Sequence, residues 1–309
     1  MNSLFTIIVS YNFEKWIDKC LGSFASSTML SQIIVVDNNS TDNTVSIIKE
    51  NYPEVILIEN KKNLGFGQAN NLGIKYAIDH NAEFVFLLNQ DAWIQANTFE
   101  KMVSAYQSLN DQSIGLLSPV HLDSKDNIEK GFLNYISKNH KLLNDLFLNK
   151  KKNHYTIDFV NAAAIMLSVE CLKTVGGFEP EFFHYGEDVN FFQRIKFHNF
   201  KAVLIPDAFI THARDLENKE RKTSLQRTFY FEFMETYKFD ALDVNQHKTF
   251  RKKYLKYLRI SIQNLFRNLV WFNKTKLIYW FWYGKAVITT RKKYAEIQNN
   301  YITHKGIYL

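Results

Sequence analysis

The sequence is poor in cysteine, with only Cys20 and Cys171 among 309 residues. Two cysteines cannot form a disulfide framework, and such sparse use is typical of a reducing compartment. The first four residues, MNSL, also lack the basic and apolar regions of a secretory signal. We therefore expect an intracellular, cytoplasmic protein. Because 46% of the residues are hydrophobic, the composition excludes intrinsic disorder.

Long apolar runs are also missing. A membrane-spanning helix needs about 18 consecutive apolar residues. The best candidate lies near the end of the chain and is interrupted by Lys274, Lys276 and Lys285. The sequence therefore predicts no spanning segment.

Two nucleotide-binding signatures are absent. A short apolar run, Phe5–Val9, predicts the first strand, and the residues from Tyr11 to Glu14 follow it where an NAD enzyme would have a Gly-x-Gly-x-x-Gly turn. No Gly-Lys-Ser/Thr phosphate loop occurs either. These absences argue against NAD-dependent hydride transfer and against ATP hydrolysis of the phosphate-loop type.

What the first half does contain is an alternation of short apolar runs and helical patterns. Asn12 is a candidate N-cap for the first helix, Ser40 or Thr41 for the second, and residues 69–78 form a third helical pattern. The runs that predict strands are residues 5–9, 33–36, 55–58 and 84–88. This order predicts an α/β fold with a mostly parallel central sheet and helices on both faces.

Polar residues cluster where these predicted strands end. In open parallel sheets, ligands bind beyond the carboxyl ends of the strands. The four polar segments at these ends are Ser10–Asn12, Asp37–Ser40, Asn63–Gly67 and Asn89–Asp91. The sequence therefore predicts a nucleotide-sized site along one rim.

Charge is divided unevenly along the chain. The last 69 residues contain fourteen Lys and Arg but only Asp243 and Glu296 as acids, a net charge of +12, whereas the first 240 residues carry −5. This tail also holds three of the five tryptophans and an apolar helical stripe from residue 255 to 272. Three interpretations stay open: packing on its own domain or a second subunit, contact with anionic lipid, and contact with nucleic acid. We favour the first two and expect no nucleic acid partner.

Five segments, taken in order, resemble a known family. They read IIVSYN, VVDNNSTDNT, NLGFGQANNLGI, FLLNQDAWI and GGFEPEFFHYGEDVNFFQRI, and they span roughly residues 4–213. This series is similar to family-2 inverting glycosyltransferases of the GT-A fold, and most similar to rhamnosyltransferase-like enzymes of bacterial surface polysaccharide synthesis. The resemblance implies a GT-A catalytic domain over residues 1–213, and the basic, aromatic-rich region 214–309 is expected to be a helical extension.

The resemblance implies roles in binding a nucleotide-sugar donor. Asp37 would accept a hydrogen bond from a pyrimidine base, and Gly65 would let the backbone approach the nucleotide. The remaining residues that the resemblance assigns to the donor are Ser10, Tyr11, Asn12, Asn39, Asn70 and Gln90. Four of these residues have a purely structural alternative: a turn for Asp37, a turn or helix cap for Asn39, a loop for Gly65 and a solvent-facing helical position for Asn70.

The resemblance also implies a divalent cation, Mg²⁺ or Mn²⁺, on the leaving diphosphate. Asp91 would be its main ligand, because Asn89 stands where the family pattern has a first carboxylate. His212 lies where relatives place an additional ligand. A turn aspartate and a strand-end histidine without a ligand role are the alternatives.

The last of the five segments implies the catalytic base. Asp188 would take the proton of an acceptor hydroxyl, and Glu187 would orient the acceptor or the base. Their structural alternative is a pair of carboxylates at a helix N-terminus. Residues 182–185, which include His184, would form an apolar wall for the acceptor.

The implied reaction is an inverting transfer from dTDP-rhamnose or a UDP-hexose to a saccharide or lipid-linked acceptor. Homo-oligomerisation and peripheral contact with the inner face of the plasma membrane stay open. Two other functions also remain: a catalytically silent assembly partner of the same shape, and a sugar nucleotidyltransferase. The silent partner would be expected to lose a key carboxylate, and the nucleotidyltransferase would need a glycine-rich basic loop that is missing.

Overall fold

The computed structural model of the chain describes residues 3–183, 185–217, 233 and 237–309. The described residues fall into two compact units: one reaches to Glu217 and also includes Tyr308 and Leu309, and the other runs from residue 233 to Ile307. His184, which we expected in the acceptor wall, lies outside the described residues. The domain boundary expected between residues 213 and 214 stays a prediction.

The first unit is built on one sheet. Its nine strands are β1 (Leu4–Ser10), β2 (Gln32–Asp37), β3 (Ile56–Glu59), β4 (Phe84–Asn89), β5 (Ala92–Ile94), β6 (Ile114–Leu122), β7 (Tyr155–Ile157), β8 (Ala164–Ser168) and β9 (Lys201–His212). The strand order is β3-β2-β1-β4-β8-β6-β9-β5, and β7 pairs with β9.

The α/β fold expected from the sequence is confirmed, and the sheet is parallel where the apolar runs predicted it. Strands β1 to β4 pair in parallel. Beyond β4 the sheet is mixed, because β8 runs antiparallel to both β4 and β6, while β6 and β9 are parallel. The carboxyl ends of β1, β2, β4, β6 and β9 therefore meet at one rim, together with the start of β8.

Helices cover both faces of the sheet. They are α1 (Ile17–Gly22), α2 (Thr44–Asn51), α3 (Phe66–Asp79), α4 (Thr98–Leu109), α5 (Lys130–Ile136), α6 (His140–Phe147), α7 (Val169–Val175) and α8 (Glu187–Phe197). Alternate strand residues point to opposite faces. Ile7 and Val36 accordingly lie in one core with α3, α7 and α8, whereas Ile8 and Val35 lie in the other with α1 and α4.

The two predicted helix caps are wrong. Asn12 has a left-handed φ of 53°, and its side-chain oxygen accepts from the amide of Thr41 instead of capping a helix. Helix α2 begins at Thr44, whose amide donates to Asp42 at 3.1 Å, and Ser40 contacts Asp37. Both segments are used to join the ends of β1 and β2, a long-range contact that local capping patterns do not reveal.

The second unit is helical, as the sequence predicted. It contains α9 (Phe239–Leu242), α10 (Phe250–Val270) and α11 (Lys274–Thr303), and α10 packs against α11. Its core is rich in tyrosine, with Tyr237, Tyr283 and Tyr294 almost fully buried. Among the residues that the structure describes, none of the helices combines the length and the apolar character needed to cross a bilayer.

Candidate active site

Asp37 lies at the rim with its carboxylate held by neighbouring groups. Parallel pairing of β1 and β2 places Ser10 beside Asp37, and the Ser10 hydroxyl donates to Oδ1 at 2.9 Å. The Ser40 hydroxyl donates to the same oxygen, and the Ser40 amide donates to Oδ2 at 2.9 Å. Asp37 is only 2% exposed. Hydrogen bonds from groups at the ends of β1 and β2 therefore stabilise the buried carboxylate.

The ends of β1 and β4 are joined by Gln90. Its side-chain oxygen accepts from the Tyr11 amide at 2.8 Å, and its side-chain nitrogen donates to the Tyr11 carbonyl at 3.2 Å. The ring of Tyr11 stays exposed beside this contact. The amide of Asn12 donates to the Ser40 hydroxyl at 2.9 Å. Ser10, Tyr11, Asn12 and Gln90 thus come together, as the rim prediction requires.

Two neighbouring asparagines follow Asp37. Asn39 is exposed and has a left-handed φ of 68°. Asn38, which sequence reasoning missed, is buried, and its side chain donates to the Gly65 carbonyl at 3.1 Å while accepting from the Leu64 amide. Asn38 therefore fixes the loop that leads into α3.

Gly65 lies against the segment that we expected to bind the acceptor. Its φ is +80°, and a Cβ atom there would lie 2.1 Å from the Phe183 carbonyl oxygen. At Gly67 a Cβ would lie 2.9 Å from that of Phe178 and 3.6 Å from that of Glu187. These glycines bring the start of α3 next to Phe178, Phe183 and Glu187. Their expected contact with a nucleotide stays a prediction.

Helix α3 carries two buried asparagines. Asn70 is 1% exposed and donates to the Phe66 carbonyl, so the alternative of a solvent-facing asparagine is wrong. Asn71, which sequence reasoning missed, forms two hydrogen bonds with the backbone of Phe178, at 2.8 and 2.7 Å. The buried Arg194 guanidinium donates to the carbonyls of Val175 and Gly177, just before Phe178 in the chain. Side chains of α3 and α8, which are far apart in sequence, therefore hold the backbone that leads into the segment expected to bind the acceptor.

Asp91 and His212 meet because β5 pairs antiparallel with β9, with Ala92 opposite His212. The His212 Nε2 atom lies 3.4 Å from Asp91 Oδ1. Burial would raise the pKa of Asp91, but the hydrogen bond and charge of His212, with a contribution from Arg214, outweigh it and lower that pKa. Asp91 is therefore ionised at neutral pH. Arg214 was not singled out from the sequence.

The Asp91 and His212 pair fits a divalent cation that has other ligands as well. One or two carboxylates suffice for Mg²⁺ when phosphates and waters supply the remaining ligands, and the imidazole of His212 would add a nitrogen ligand beside the Asp91 carboxylate. The buried Nδ1 of His212 has no hydrogen-bond partner among the described residues. Within these residues no group of three or more His, Cys, Asp or Glu side chains could hold a metal ion.

Asp188 and Glu187 occupy the first turn of α8, after Gly186 with a φ of 94°. Burial raises the pKa of Asp188 to about 6, although the backbone amides of Val189 and Ala162 donate to the carboxylate and oppose the rise. The Val189 amide lies 2.8 Å from Oδ1. Glu187 is buried beside it. A carboxyl with this pKa can be deprotonated near neutral pH and still be basic enough to take a proton.

The start of β8 connects the two carboxylate groups. The Asn89 amide donates to the Ala163 carbonyl at 2.8 Å, and the neighbouring Ala162 amide donates to Asp188. Tyr135 lies near Asp188 and Arg214: burial raises its pKa, the charge of Asp188 adds to the rise, and the charge of Arg214, which also acts on Asp91, opposes it. The structure therefore brings Asp188 and Asn89–Asp91 to the same part of the rim.

Comparison with solved structures identifies the fold. A Staphylococcus aureus protein, TarS residues 1–349 in complex with UDP, aligns with a TM-score of 0.55 at 16% identity, covering 94% of this chain and 91% of that one. The mannosyltransferase PcManGT from Pyrobaculum calidifontis, solved with GDP-Man and Mn²⁺, aligns with a TM-score of 0.51 at 17% identity, covering 97% and 84%. These neighbours are GT-A glycosyltransferases, so the chain has the GT-A fold.

Sequence comparison identifies the family. The dTDP-rhamnosyl transferase RfbF of Shigella flexneri is 26% identical over 69% of this chain and 70% of its own length. The low-salt glycan biosynthesis hexosyltransferase Agl10 of Haloferax volcanii is 25% identical over 64% of this chain, which spans 63% of that relative. The profile of "Glycosyl transferase family 2" matches residues 6–174, more than half of the sequence. The chain therefore belongs to glycosyl transferase family 2.

Proposed function

We propose that the chain transfers a sugar, with inversion at the anomeric carbon, from a nucleoside diphosphate donor to an acceptor hydroxyl. The observation that carries this proposal is the carboxyl of Asp188, whose pKa is raised to about 6 by burial. It lies at the same part of the rim as Asp91. A direct displacement needs a base for the acceptor hydroxyl and a group, such as a cation ligand, that stabilises the leaving diphosphate.

In this proposal the reaction is a single displacement. Asp188 accepts the proton of the acceptor hydroxyl, and the hydroxyl oxygen forms a bond to the anomeric carbon. The bond from that carbon to the diphosphate oxygen breaks, and its electron pair leaves with the nucleoside diphosphate. No covalent sugar–enzyme intermediate is required. Glu187, beside Asp188 in the first turn of α8, orients the acceptor or the base.

The diphosphate is expected next to Asp91, His212 and Arg214. Asp91 and His212 would hold Mg²⁺ or Mn²⁺, whose contribution when bound is to neutralise charge on the leaving group. Arg214 is exposed and acts electrostatically on Asp91, so its positive charge is available on the same side. Ser10, Tyr11, Asn12, Asp37, Asn39, Gly65, Asn70 and Gln90 are proposed for the nucleotide and its sugar.

The donor that we propose is dTDP-rhamnose or a UDP-hexose. The name of the Shigella flexneri relative supports the first, and the solved neighbour with UDP supports a uridine nucleotide. The proposed acceptor is a saccharide or a lipid-linked saccharide in bacterial surface polysaccharide synthesis. A cytoplasmic enzyme whose C-terminal region contacts the inner membrane surface would suit a lipid-linked acceptor.

A donor screen tests this proposal. Purified protein is incubated with dTDP-, UDP- and GDP-sugars, and release of the nucleoside diphosphate is measured with Mg²⁺ or Mn²⁺ present. We expect release from one donor class. In Asp188→Asn the turnover should fall by roughly 10² to 10⁴-fold while donor affinity is kept, because a base acts in the transition state.

Glu170→Gln is the matched control, since Glu170 is an exposed carboxylate in the first turn of α7. It should behave as the unchanged protein. If Asp188→Asn kept the turnover of the wild type, Asp188 would not be the catalytic base. Donor binding without release from any sugar nucleotide would instead favour the silent assembly partner.

A further inference from the structure

The second unit exposes apolar side chains at one end of a helical hairpin, formed by α10, residues 271–273 and α11. Six exposed apolar residues, three from each helix, line one groove: Ile262, Phe266, Leu269, Ile278, Phe281 and Trp282. We call these six residues the hairpin patch. Phe266 is 69% exposed, and Trp271 and Phe272 in the turn extend the apolar surface. Single exposed apolar residues are common, but a contiguous patch marks an interaction surface.

Small and polar residues take part in the contact between the two helices. The buried Ser261 hydroxyl donates to the Trp280 carbonyl at 2.8 Å. At Gly284 a Cβ atom would lie 2.5 Å from the Ser261 hydroxyl oxygen, so the helices approach closely there. Buried Asn268 donates to the Asn264 carbonyl at 2.7 Å. Small and polar residues also contribute to helix contacts where helices pack in lipid.

Cations lie beside the patch. On α11, Lys274 precedes Ile278 by four residues and Lys285 follows Trp282 by three, so both share the face of the patch. The Lys285 Nζ atom lies 4.7 Å from the Trp282 ring centroid. Seven more exposed cations occupy the other half of the hairpin: Arg251, Lys252, Lys256, Arg259, Arg291, Lys292 and Lys293.

Charge complementarity decides which partner fits. The region from residue 241 carries a net charge of +12, so a second copy would bring the same positive charge to the same surface. An anionic bilayer instead offers phosphates for the cations and acyl chains for the patch. Lysine side chains can extend to the phosphates while their aliphatic parts stay in the apolar layer.

We propose that the hairpin patch inserts into the interface of an anionic phospholipid bilayer. The six patch residues reach the acyl-chain boundary, while Lys274, Lys285 and the cations of the other half stay at phosphate level. This inference rests on the membrane contact proposed above and deepens it, because it assigns the contact to insertion of named side chains and not to surface charge alone. It is independent of which sugar is transferred.

Vesicle binding tests the proposal with the full chain. Sedimentation is measured with vesicles of equal parts phosphatidylglycerol and phosphatidylcholine, and with phosphatidylcholine alone, at low and high salt. The test variant is Phe266→Gln/Trp282→Gln. The control is Phe147→Gln, which changes an aromatic residue of the first unit that is 87% exposed.

We expect the unchanged protein and Phe147→Gln to bind the anionic vesicles alike. The double variant should bind roughly tenfold to a hundredfold more weakly, because it loses the burial of two large apolar side chains. Lipids brominated on their acyl chains should quench tryptophan fluorescence of the bound wild type. Circular dichroism and transfer to a water-soluble acceptor should be unchanged in the double variant.

The other outcomes overturn the inference in distinguishable ways. If wild type and double variant bound equally and in a salt-sensitive way, without quenching by brominated acyl chains, the protein would adsorb by charge alone. That result would exclude insertion. No binding of wild type to either vesicle would overturn both the membrane contact and the insertion. Sedimentation velocity could instead show a dimer of the wild type that the double variant does not form, with vesicle binding unaffected. The hairpin patch would then bind a second copy of the chain and not the bilayer.

Discussion

At the scale of single residues, the raised pKa of Asp188 has a direct consequence for pH dependence. Burial places this pKa at about 6, and the base must be ionised to accept a proton. We expect kcat/KM to be level above pH 7 and to fall about tenfold for each pH unit well below 6. Initial rates of nucleoside diphosphate release between pH 5 and 8 measure this.

The control for this profile is donor affinity over the same pH range, which reports whether the loss lies in binding. The Glu170→Gln variant should reproduce the wild-type curve, because the exposed Glu170 follows the end of β8, which pairs with the start of β4 at the edge of the sheet opposite to the rim. A rate that stays constant down to pH 5 would contradict the assignment of Asp188 as base.

Asp91 carries a second prediction at this scale. Asp91→Ala should weaken nucleoside diphosphate and Mn²⁺ binding together, because its carboxylate is the proposed ligand that joins them. His212→Ala should have a smaller effect, since it removes one nitrogen ligand and a partner of Asp91 but leaves the carboxylate in place. Calorimetry with and without Mn²⁺ measures both. The same Mn²⁺ dependence in Asp91→Ala and wild type would exclude this metal site.

At the scale of elements, the approach of the Asn63–Gly67 loop to Phe183 sets a strict requirement at Gly65. An alanine Cβ there would lie 2.1 Å from a backbone oxygen, at a φ of +80° that disfavours any side chain. We expect Gly65→Ala to lower the free energy of unfolding by about 1 to 3 kcal/mol and to reduce activity by displacing the acceptor segment. Urea unfolding and initial rates measure these effects.

Gly22→Ala is the matched control for that substitution. Gly22 ends α1, and apart from its chain neighbours and its own helix backbone no atom of the described residues lies within 4 Å of the position of its Cβ. The change should be neutral or stabilise by up to about 1 kcal/mol, because alanine restricts the unfolded chain. Equal effects at the two glycines would mean that the close contact with Phe183 does not constrain the loop.

Elements also show how far the sequence could lead. The runs that predict β1 to β4 are local, continuous and apolar, so both the strands and their parallel direction were predictable, although their order in the sheet was not. The antiparallel position of β8 between β4 and β6 was not, since pairing across some eighty residues leaves no periodic signal. The site residues at strand ends followed from the rim rule and from the family resemblance.

Three of the residues that were missed share one physical property. Asn38, Asn71 and Arg194 donate hydrogen bonds to backbone carbonyls outside their own elements, and Asn71 is 107 residues from Phe178. When its hydrogen-bond partner is unknown, a polar residue in a helical pattern is predicted to be exposed to solvent. Only the fold reveals that these side chains are buried and satisfied.

At the scale of the whole molecule, the chain returns to its first unit at its last two residues. Leu309 packs against the core that contains α3 and α7, and the Tyr308 hydroxyl donates to Glu179. Deleting both residues should lower the melting temperature of the first unit by roughly 4 to 10 °C. Differential scanning calorimetry measures this. The control is Ile302→Gln, at an exposed position. An unchanged melting temperature after the deletion would show that the contacts of Tyr308 and Leu309 do not stabilise the first unit.

The way in which Asp37 is held has a consequence for base selectivity. A carboxylate offers about four lone pairs. Two on Oδ1 are taken by the Ser10 and Ser40 hydroxyls and one on Oδ2 by the Ser40 amide, which leaves a single acceptor position. Uracil and thymine present one ring N–H, whereas guanine presents two adjacent donors. If Asp37 reads the base, UDP and dTDP should bind more tightly than GDP, and calorimetry that finds equal affinities would contradict this count.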